Sequence, residues 1–257
     1  VAAKDAGIRF IPGTRLDLIA NLEDPDGQVG LSLLCLPTDR AAYSRLSCLL
    51  TIGKRRAPKG QCYLVIDDVL AIAPGQVFIA VPPASLDGKA GEAFVTGLRD
   101  FVASVPGRVF LAASQTWCGG DALRITRLSA IAKATGARLV ATNDVHCHTP
   151  ERRALADVLT CIREHCTIDE AGFRLAANIE NHLKPPAEMA RLFQAWPEAV
   201  ARTIEIAKAC TFSLDELAYD YPVDPVPDGL SPQEYLAQLA WAGAATRWPN
   251  GVADKVE

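Results

Sequence analysis

The sequence has no CxxC pair, although it contains eight cysteines. Zinc ribbons require closely spaced cysteine pairs, and small disulfide scaffolds require a compact framework of them. The cysteines here are instead scattered from Cys35 to Cys210. We therefore interpret them as free thiols of a protein in a reducing compartment.

Long hydrophobic runs are also absent. No apolar run approaches the roughly 20 residues of a transmembrane helix. The first residues lack the basic and apolar regions of a secretory signal. These absences and the free thiols predict a cytoplasmic protein. The net charge of −4 and the pI near 5.6 provide no basic footprint, so the chain by itself does not resemble a nucleic-acid-binding module.

Several catalytic signatures are missing. The sequence has no Gly-rich phosphate loop, no HExxH helix and no nucleophile elbow, which disfavours nucleotide-binding folds, zinc proteases and serine hydrolases. The composition is nevertheless that of a globular protein, because 257 residues with 49% hydrophobic side chains can bury a large core.

Strand-like and helix-like patterns alternate through the first part of the chain. Short β-prone or all-apolar runs predict strands at residues 8–12, 16–20, 29–36, 76–81, 109–113 and 139–141. Helical apolar spacing fills most of the intervals, with Thr38 and Asp39 as a predicted cap pair before the first long helix and Asp121 as the predicted cap of the helix that ends before Gly136. Residues 23–27 form a turn cluster that predicts a hairpin between the strands at 16–20 and 29–36. The alternation predicts at least three βαβ units, arranged either as a (βα) barrel or as a layered α/β sheet.

After Pro150 the pattern predicts only helices. The first, over residues 151–163, has apolar residues at helical spacing that should face the interior; they are Leu155, Val158, Leu159 and Ile162. Residues 186–196 and 198–210 should form an antiparallel pair. Residues 221–230 read as a Pro-rich linker, followed by a helix over 233–246. Both ends of the sequence look cut, so we expect a fragment of a longer protein.

Residues 138–148 are the first candidate for a functional site. An apolar strand ends there in polar residues, and the carboxyl ends of strands are where α/β proteins bind ligands. Asp144 and His146 alternate along an extended segment, so both could bind one Zn, Mn or Fe ion. The alternative is a histidine that merely hydrogen-bonds the carboxylate. His148 should either lie on the same face of this segment as Asp144 and His146 or lie at the start of the following helix.

Other candidate residues have simpler explanations. Asp67 and Asp68 could bind metal, but a helix start explains them better. The basic runs 54–56 and 152–153 could contact phosphate, although solvated helix ends are the plainer interpretation. His165 and Cys166 should close a helix, His182 should be a loop residue with a local hydrogen bond, and Trp117 should be a packed aromatic.

Two parts of the sequence resemble a known family. Residues 141–146, Ala-Thr-Asn-Asp-Val-His, and the helix pattern at 156–162 resemble the end of the PHP (polymerase and histidinol phosphatase) domain of bacterial C-family DNA polymerases. Residues 173–193 and 204–217 are similar to the error-prone DnaE-type branch, used in damage-induced mutagenesis. The resemblance extends along the whole chain and is most specific over residues 138–230.

The resemblance implies a fold and a domain organisation. Residues 1–220 would be a distorted (βα)7-type PHP barrel that lacks its first units. Residues 221–230 would be the linker, and residues 231–257 would begin the next, helical polymerase region.

The resemblance also implies a multinuclear site for Zn or Mn, and the sequence departs from it. Only Asp144 and His146 match the family's ligands. The family has a glutamate two residues after a glycine, and here Gly13 is followed at that position by Arg15. The family also has a glutamate at the end of a later strand, where this sequence has Ala112 or Ala113. A guanidinium repels a cation, so we predict a degenerate site in which Arg15 replaces the metal and forms a salt bridge with Asp144.

The parent protein implied by the resemblance is a translesion DNA-directed DNA polymerase without tightly coupled proofreading. Its palm aspartates and their Mg would lie beyond residue 257, so this chain alone should hold no polymerase residue and no bound cofactor. DNA, accessory mutagenesis proteins and the sliding clamp are the implied partners, without a membrane. Two alternatives remain, a free-standing metal-dependent phosphoesterase of the PHP fold and a helical interaction module appended to a (βα) barrel.

Overall fold

The structure, a computed structural model, describes residues 2–25, 29–218 and 225–251. Contacts divide the chain into two units, residues 1–216 and 217–257. The first unit holds all strands that the structure describes: β1 (Thr14–Ile19), β2 (Val29–Pro37), β3 (Gln76–Val81), β4 (Val109–Ala113) and β5 (Arg138–Ala141).

The helices of the first unit lie before, between and after these strands. They are α1 (Ala2–Asp5), α2 (Arg40–Arg56), α3 (Ile66–Ala71), α4 (Gly88–Ser104), α5 (Asp121–Thr135), α6 (Arg153–Glu164), α7 (Ile168–Ala171), α8 (Pro186–Leu192) and α9 (Pro197–Ala209). Short 3-10 turns occupy Pro150–Arg152, Gly172–Arg174 and Leu214–Glu216. The second unit contains α10 (Pro232–Arg247).

The strands form one mixed sheet in the order β1-β2-β3-β4-β5. The β1–β2 and β2–β3 pairs are antiparallel, whereas β3–β4 and β4–β5 are parallel. Helices α4 and α5 connect the parallel strands, so the described part of the chain contains two βαβ units. The prediction of at least three was wrong, because β2 runs against β3 and its following helices complete no parallel crossover.

The sheet confirms an α/β fold. The described strands do not close into a barrel, since β1 and β5 are the two edges of the sheet, and the specific PHP barrel stays a prediction. Residues 8–12, predicted as a strand, are irregular. The predicted hairpin turn falls partly on residues 26–28, and the predicted linker partly on residues 219–224, which lie outside the described residues.

Local signals explain most helix boundaries. The Asp39 carboxylate accepts a hydrogen bond from the amide of Ala42 at 2.8 Å and starts α2. Gly136 ends α5 in the left-handed region at φ 81°. The observed cap of α5 is Gly120, and Asp121, the predicted cap, is the first residue of the helix. Among the described residues, no helix has both the length and the apolarity of a membrane span.

One face of the sheet forms the main core with α2, α4 and α5. Leu33, Phe78 and Leu111 are fully buried there, and Phe78 meets Phe101 of α4 edge to face at a centroid distance of 5.1 Å. Period-2 alternation explains this, because every second residue of each strand points to the same side. The predicted apolar strands therefore supply the core as expected.

The opposite face is covered by α9 at its β3–β5 side. Val77, Ile79 and Phe110 pack there with Ile206 of α9. The Arg202 guanidinium donates to the carbonyl of Leu139 at 2.7 Å. Arg138 forms a bidentate ion pair with Glu205, which fixes α9 along strand β5.

Helix α6 differs from its prediction. The four residues expected to face the interior are exposed by 49% to 64% of their surface; they are Leu155, Val158, Leu159 and Ile162. Phe173, in the turn after α7, is fully exposed as well. Periodicity identified the apolar stripe correctly, but the described residues provide no element that covers it. We call the four exposed apolar residues of α6 the α6 face.

The buried position of Leu111 predicts a large loss of stability on truncation. Leu111→Ala should lower the free energy of unfolding by about 2–5 kcal/mol, because it opens a cavity in the main core. Leu123→Ala is the matched control, since Leu123 is 66% exposed on α5, and it should cost within about 0.5 kcal/mol. Urea unfolding followed by circular dichroism measures both, and equal losses would contradict this core.

Candidate functional site

The candidate site lies where the loop after β5 leaves the sheet. Thr142 continues the pairing with β4, because its amide donates to the carbonyl of Ala113 at 2.8 Å. The Asn143 side-chain amide then donates to the carbonyls of Glu180 at 3.1 Å and His182 at 2.5 Å. The loop is thus held on the sheet side by β4 and on the other side by a distant segment of the chain.

Asp144 adopts an unusual backbone conformation in this loop. Its φ is 41°, in the left-handed region that costs a non-glycine residue about 1–2 kcal/mol. The Asn181 side-chain amide donates to the Asp144 carbonyl at 3.0 Å and to its carboxylate at 3.4 Å. The Asn181 carbonyl in turn accepts from the amide of His146 at 2.8 Å. These bonds stabilise the turn that brings Asp144 and His146 together.

The structure brings the two predicted ligands next to each other. His146 Nε2 lies 3.5 Å from Asp144 Oδ2, and each side chain is 61% exposed. Both the metal interpretation and the simpler histidine–carboxylate contact fit this geometry. The exposure of the two side chains does not distinguish these two interpretations, because water solvates both groups where no further ligand is present.

Within the described ranges, no third ligand joins this pair. Among the residues that the structure describes, no group of three or more His, Cys, Asp or Glu side chains could hold a metal ion. Zn requires about four ligands, and a multinuclear centre requires bridging carboxylates in addition. The donors present around Asp144 and His146 therefore do not fit the multinuclear site that the family resemblance implies.

His148 and His182 belong to a neighbouring cluster around Glu151. The backbone amide of Glu151 and then the Thr149 hydroxyl lower the pKa of the Glu151 carboxyl, with smaller contributions from His182 and His148. His182 Nδ1 lies 2.8 Å from the carbonyl of Ile179, which confirms its predicted local hydrogen bond. His148 is therefore near the start of the next helix, one of the two positions expected for it.

Residues 178–184 are the part of the site that the sequence did not reveal. The Asn178 side-chain amide donates to the carbonyl of Thr116 at 2.6 Å, in the loop after β4. Asn181, three residues later, holds the loop after β5. The buried ammonium of Lys184 binds Glu180 Oε2 at 2.9 Å and the Glu180 carbonyl at 2.6 Å, which anchors the segment. The two asparagines were the available signal, because asparagine side chains commonly satisfy loop backbone.

Trp117, in the loop after β4, is not the packed aromatic that the sequence suggested. Its φ is 54°, and 54% of its surface is exposed. Asn178 holds the carbonyls on either side of this residue, those of Thr116 and Trp117. Two adjacent loops at the carboxyl edge therefore each carry one left-handed residue other than glycine, and residues 178–181 fix both of them.

Arg15 does not occupy the candidate site. Its Nε donates to Asp17 at 2.9 Å and to Ser32 at 3.0 Å. The expected salt bridge to Asp144 is wrong because β1 and β5 are opposite edges of the sheet. Four strand spacings of about 4.8 Å separate them. Whether Arg15 stands in for a lost acid stays a prediction.

Arg15 lies in the wall of a cavity, whereas Ala112 and Ala113 lie in the core. Arg15 and Asp17 line a cavity of about 840 Å³ beside α3 and α4, which contains neither Asp144 nor His146. Ala112 and Ala113 are buried on opposite faces of β4. Neither alanine offers a metal ligand, and a carboxylate in their place would be buried among apolar side chains.

Asp68 is a helix cap rather than a metal ligand. Its carboxylate accepts from Arg56 Nη1 at 2.6 Å and from the amide of Val65 at 3.1 Å, at the start of α3. Arg56, from the basic run 54–56, is thereby paired. Arg153, from the run 152–153, pairs with Asp157 at 3.2 Å. These two arginines are engaged within the chain.

Comparison with known proteins identifies the relatives of this chain. No protein-family model matches it. An error-prone DNA polymerase of Caulobacter vibrioides is 48% identical over 255 residues, covering 99% of this chain and 22% of that protein. Error-prone DNA polymerase 1 of Agrobacterium fabrum is 44% identical over 256 residues, covering 100% of this chain and 22% of that protein.

The chain is homologous to a segment of error-prone DNA polymerases. Error-prone DNA polymerase 2 of Rhizobium meliloti adds a further match, 41% identical over 256 residues. These matches confirm the predicted resemblance to the error-prone DnaE-type polymerases along nearly the whole chain. The chain spans about a fifth of the length of these relatives, 22% in each case.

The cap at α3 predicts a pH-dependent contribution to stability. Burial opposes ionisation of Asp68, but the hydrogen bonds from Arg56 and Val65 outweigh it and lower the pKa of this carboxyl in the folded state. A lowered pKa stabilises the fold above the ordinary aspartate value of about 4 and loses this effect as the pH falls below it. Asp68→Asn should therefore cost about 1–2 kcal/mol at pH 7.

The measurement is the free energy of unfolding across acidic pH. The difference between the parent chain and Asp68→Asn should shrink as the pH falls through about 4. Asp67→Asn is the matched control, because Asp67 is exposed in the same turn. A pH-independent difference would show that the carboxylate charge contributes nothing.

Proposed function

We propose that this chain is the PHP-domain segment of an error-prone, translesion DNA-directed DNA polymerase, a nucleotidyltransferase, and that it is a structural platform without proofreading activity. The observation that carries the proposal is the similarity of 41% to 48% to error-prone DNA polymerases over nearly the whole chain. In this proposal residues 1–220 form the PHP domain, and residues 231–257 begin the next polymerase region.

The ligand set at the carboxyl edge supports the absence of proofreading. Hydrolytic metal centres position a nucleophilic water and a leaving group between well-fixed ions. Asp144 and His146 alone offer one carboxylate and one imidazole, both largely exposed. Such a pair holds an ion weakly and cannot orient two of them, so we regard the two residues as the remnant of a site. Nucleotide addition would use Mg at residues beyond this chain.

The α6 face supports the platform role. Monomeric proteins rarely expose contiguous apolar stripes, and such stripes mark surfaces that contact another element. Four apolar side chains at spacings of three and four residues make this face suited to a packed helix–helix or helix–sheet contact. The relatives contain about four-fifths of their length outside the matched segment, and we propose that another part of the polymerase covers this face.

DNA, accessory mutagenesis proteins and the sliding clamp would be partners of the whole polymerase. The net charge of −4 gives this chain no electrostatic preference for a phosphate backbone. The platform would therefore act through protein contacts, and DNA would be bound mainly elsewhere. The alternative of a PHP phosphoesterase is supported only by the proximity of Asp144 and His146.

Metal content and nucleotide release test the platform against the phosphoesterase. The purified full-length polymerase should hold less than one equivalent of Zn or Mn by elemental analysis and should release no nucleotide from a primer end. Asp144→Asn combined with His146→Gln should leave primer extension in Mg unchanged. Stoichiometric Zn or Mn, with nucleotide release that this double variant abolishes, would establish the phosphoesterase instead.

Charge substitution on the α6 face tests its contact. Leu159→Asp should reduce the thermal stability and primer extension of the full-length polymerase, because a carboxylate buried in an apolar contact costs several kcal/mol. Leu123→Asp is the matched control on α5, where the side chain is similarly exposed. Equal behaviour of the two variants would show that the α6 face remains solvated in the whole protein.

A further inference from the structure

The C-terminal end of α6 places two cysteines side by side. The amide of Cys166 donates to the carbonyl of Cys161 at 3.1 Å, and the amide of His165 donates to that of Ile162 at 3.4 Å. His165 between them is left-handed, with φ 51° and ψ 44°. This pair of bonds is the Schellman motif, in which the side chains at the positions of Cys161 and Cys166 commonly contact each other.

The backbone geometry is compatible with a covalent link between these residues. Given the 3.1 Å hydrogen bond, standard bond lengths hold the two Cα atoms within about 7 Å of each other. Disulfides span Cα distances of about 4.4–6.8 Å. Both cysteines also line one shallow depression that continues past the end of α6 to Thr167 and Glu170. These two residues lie outside the α6 face, so small solutes can approach the pair from that side even where the α6 face is covered.

We propose that Cys161 and Cys166 form a redox-sensitive disulfide site, oxidised by hydroperoxides. This inference does not depend on the proposed polymerase function. Both thiols are free in the structure. The sequence suggested only a structural role for Cys166, because the spacing of five residues matches no common redox motif; the left-handed cap brings the two residues together.

The two thiols have different roles in this chemistry. Cys166 is the more exposed, whereas Cys161 is 7% exposed. Burial, followed by interaction with the Cys166 thiol, raises the pKa of Cys161. The Cys166 thiolate therefore attacks the peroxide, since the thiolate is the nucleophile. Cys161 remains protonated until it acts as the resolving thiol.

The reaction balances without another reactant. The Cys166 thiolate attacks one peroxide oxygen, the O–O bond breaks, and protonation releases one water and leaves a sulfenic acid. The Cys161 sulfur then attacks the sulfenic sulfur and loses its proton, while hydroxide leaves as the second water. Overall two thiols and hydrogen peroxide give one disulfide and two waters.

Tryptic mapping tests the disulfide directly. Trypsin cleaves after Arg153, Arg163 and Arg174, so the two cysteines fall on separate peptides, residues 154–163 and 164–174. After treatment of the full-length protein with hydrogen peroxide and alkylation of free thiols, these peptides should run as one linked species that reductant separates. Cys161→Ser and Cys166→Ser should each abolish this species.

Sulfenic acid trapping assigns the roles of the two thiols. With dimedone present, Cys161→Ser should accumulate label on Cys166, whereas Cys166→Ser should leave Cys161 unlabelled. Cys118, exposed after β4, is the internal control for peroxide exposure. The proposal is wrong if Cys118 becomes labelled while residues 154–163 and 164–174 remain unlinked, or if either cysteine links to a different one.

Substitution of His165 tests the geometric basis. Glycine favours the left-handed cap and a β-branched residue disfavours it. His165→Gly should therefore keep the rate of disulfide formation, and His165→Val should lower it about tenfold. Both variants remove the imidazole, so an equal loss in both would show that histidine chemistry, rather than the cap, promotes the reaction.

Discussion

The parallel pairing of β4 with β5 is the constraint on which the rest of the candidate site depends. It brings the loops that follow both strands to one edge of the sheet, and the bond from Thr142 to Ala113 extends the pairing past the end of β5. Only then can one short segment, residues 178–184, contact both loops. Asn178 holds the first loop and Asn181 the second. Loss of the pairing would separate Asp144 and His146 from their supports.

Left-handed residues mark points where the chain changes direction, two of them held by tertiary contacts and one by the local backbone of a helix end. Among the described residues, three non-glycine residues have positive φ: Trp117, Asp144 and His165. Each costs about 1–2 kcal/mol, and each is fixed by hydrogen bonds to its own or adjacent backbone groups. Two of them lie at the carboxyl edge, and the third closes α6. Strained positions of this kind persist only where the surrounding structure fixes them. They therefore identify backbone segments whose conformation is closely constrained by hydrogen bonds.

The homology to error-prone DNA polymerases gives this architecture a context. The carboxyl edge, with one Asp–His pair and an ion pair between buried Lys184 and partly exposed Glu180, fits the structural role proposed above, and so does the exposed α6 face. The two observations are physically independent, because the ligand set concerns the carboxyl edge of the sheet and the α6 face lies on a helix beyond it. The matched segment is 22% of the length of the Caulobacter relative, so most of that protein lies outside it.

The sequence by itself determined the elements whose signals are local. Apolar runs and caps predicted β3 and β4 at their observed bounds, and Asp39 as the start of α2, because periodicity and capping act over a few residues. Short motifs likewise led to the polymerase family. Only the tertiary structure decided the reversed direction of β2, the partners of Arg15 and the exposure of α6. Strand order, the choice of ion-pair partners and burial depend on residues that are far apart in the chain. Asp144 and Asn181, for example, are 37 residues apart, and a pattern that extends over a few residues cannot predict such a contact.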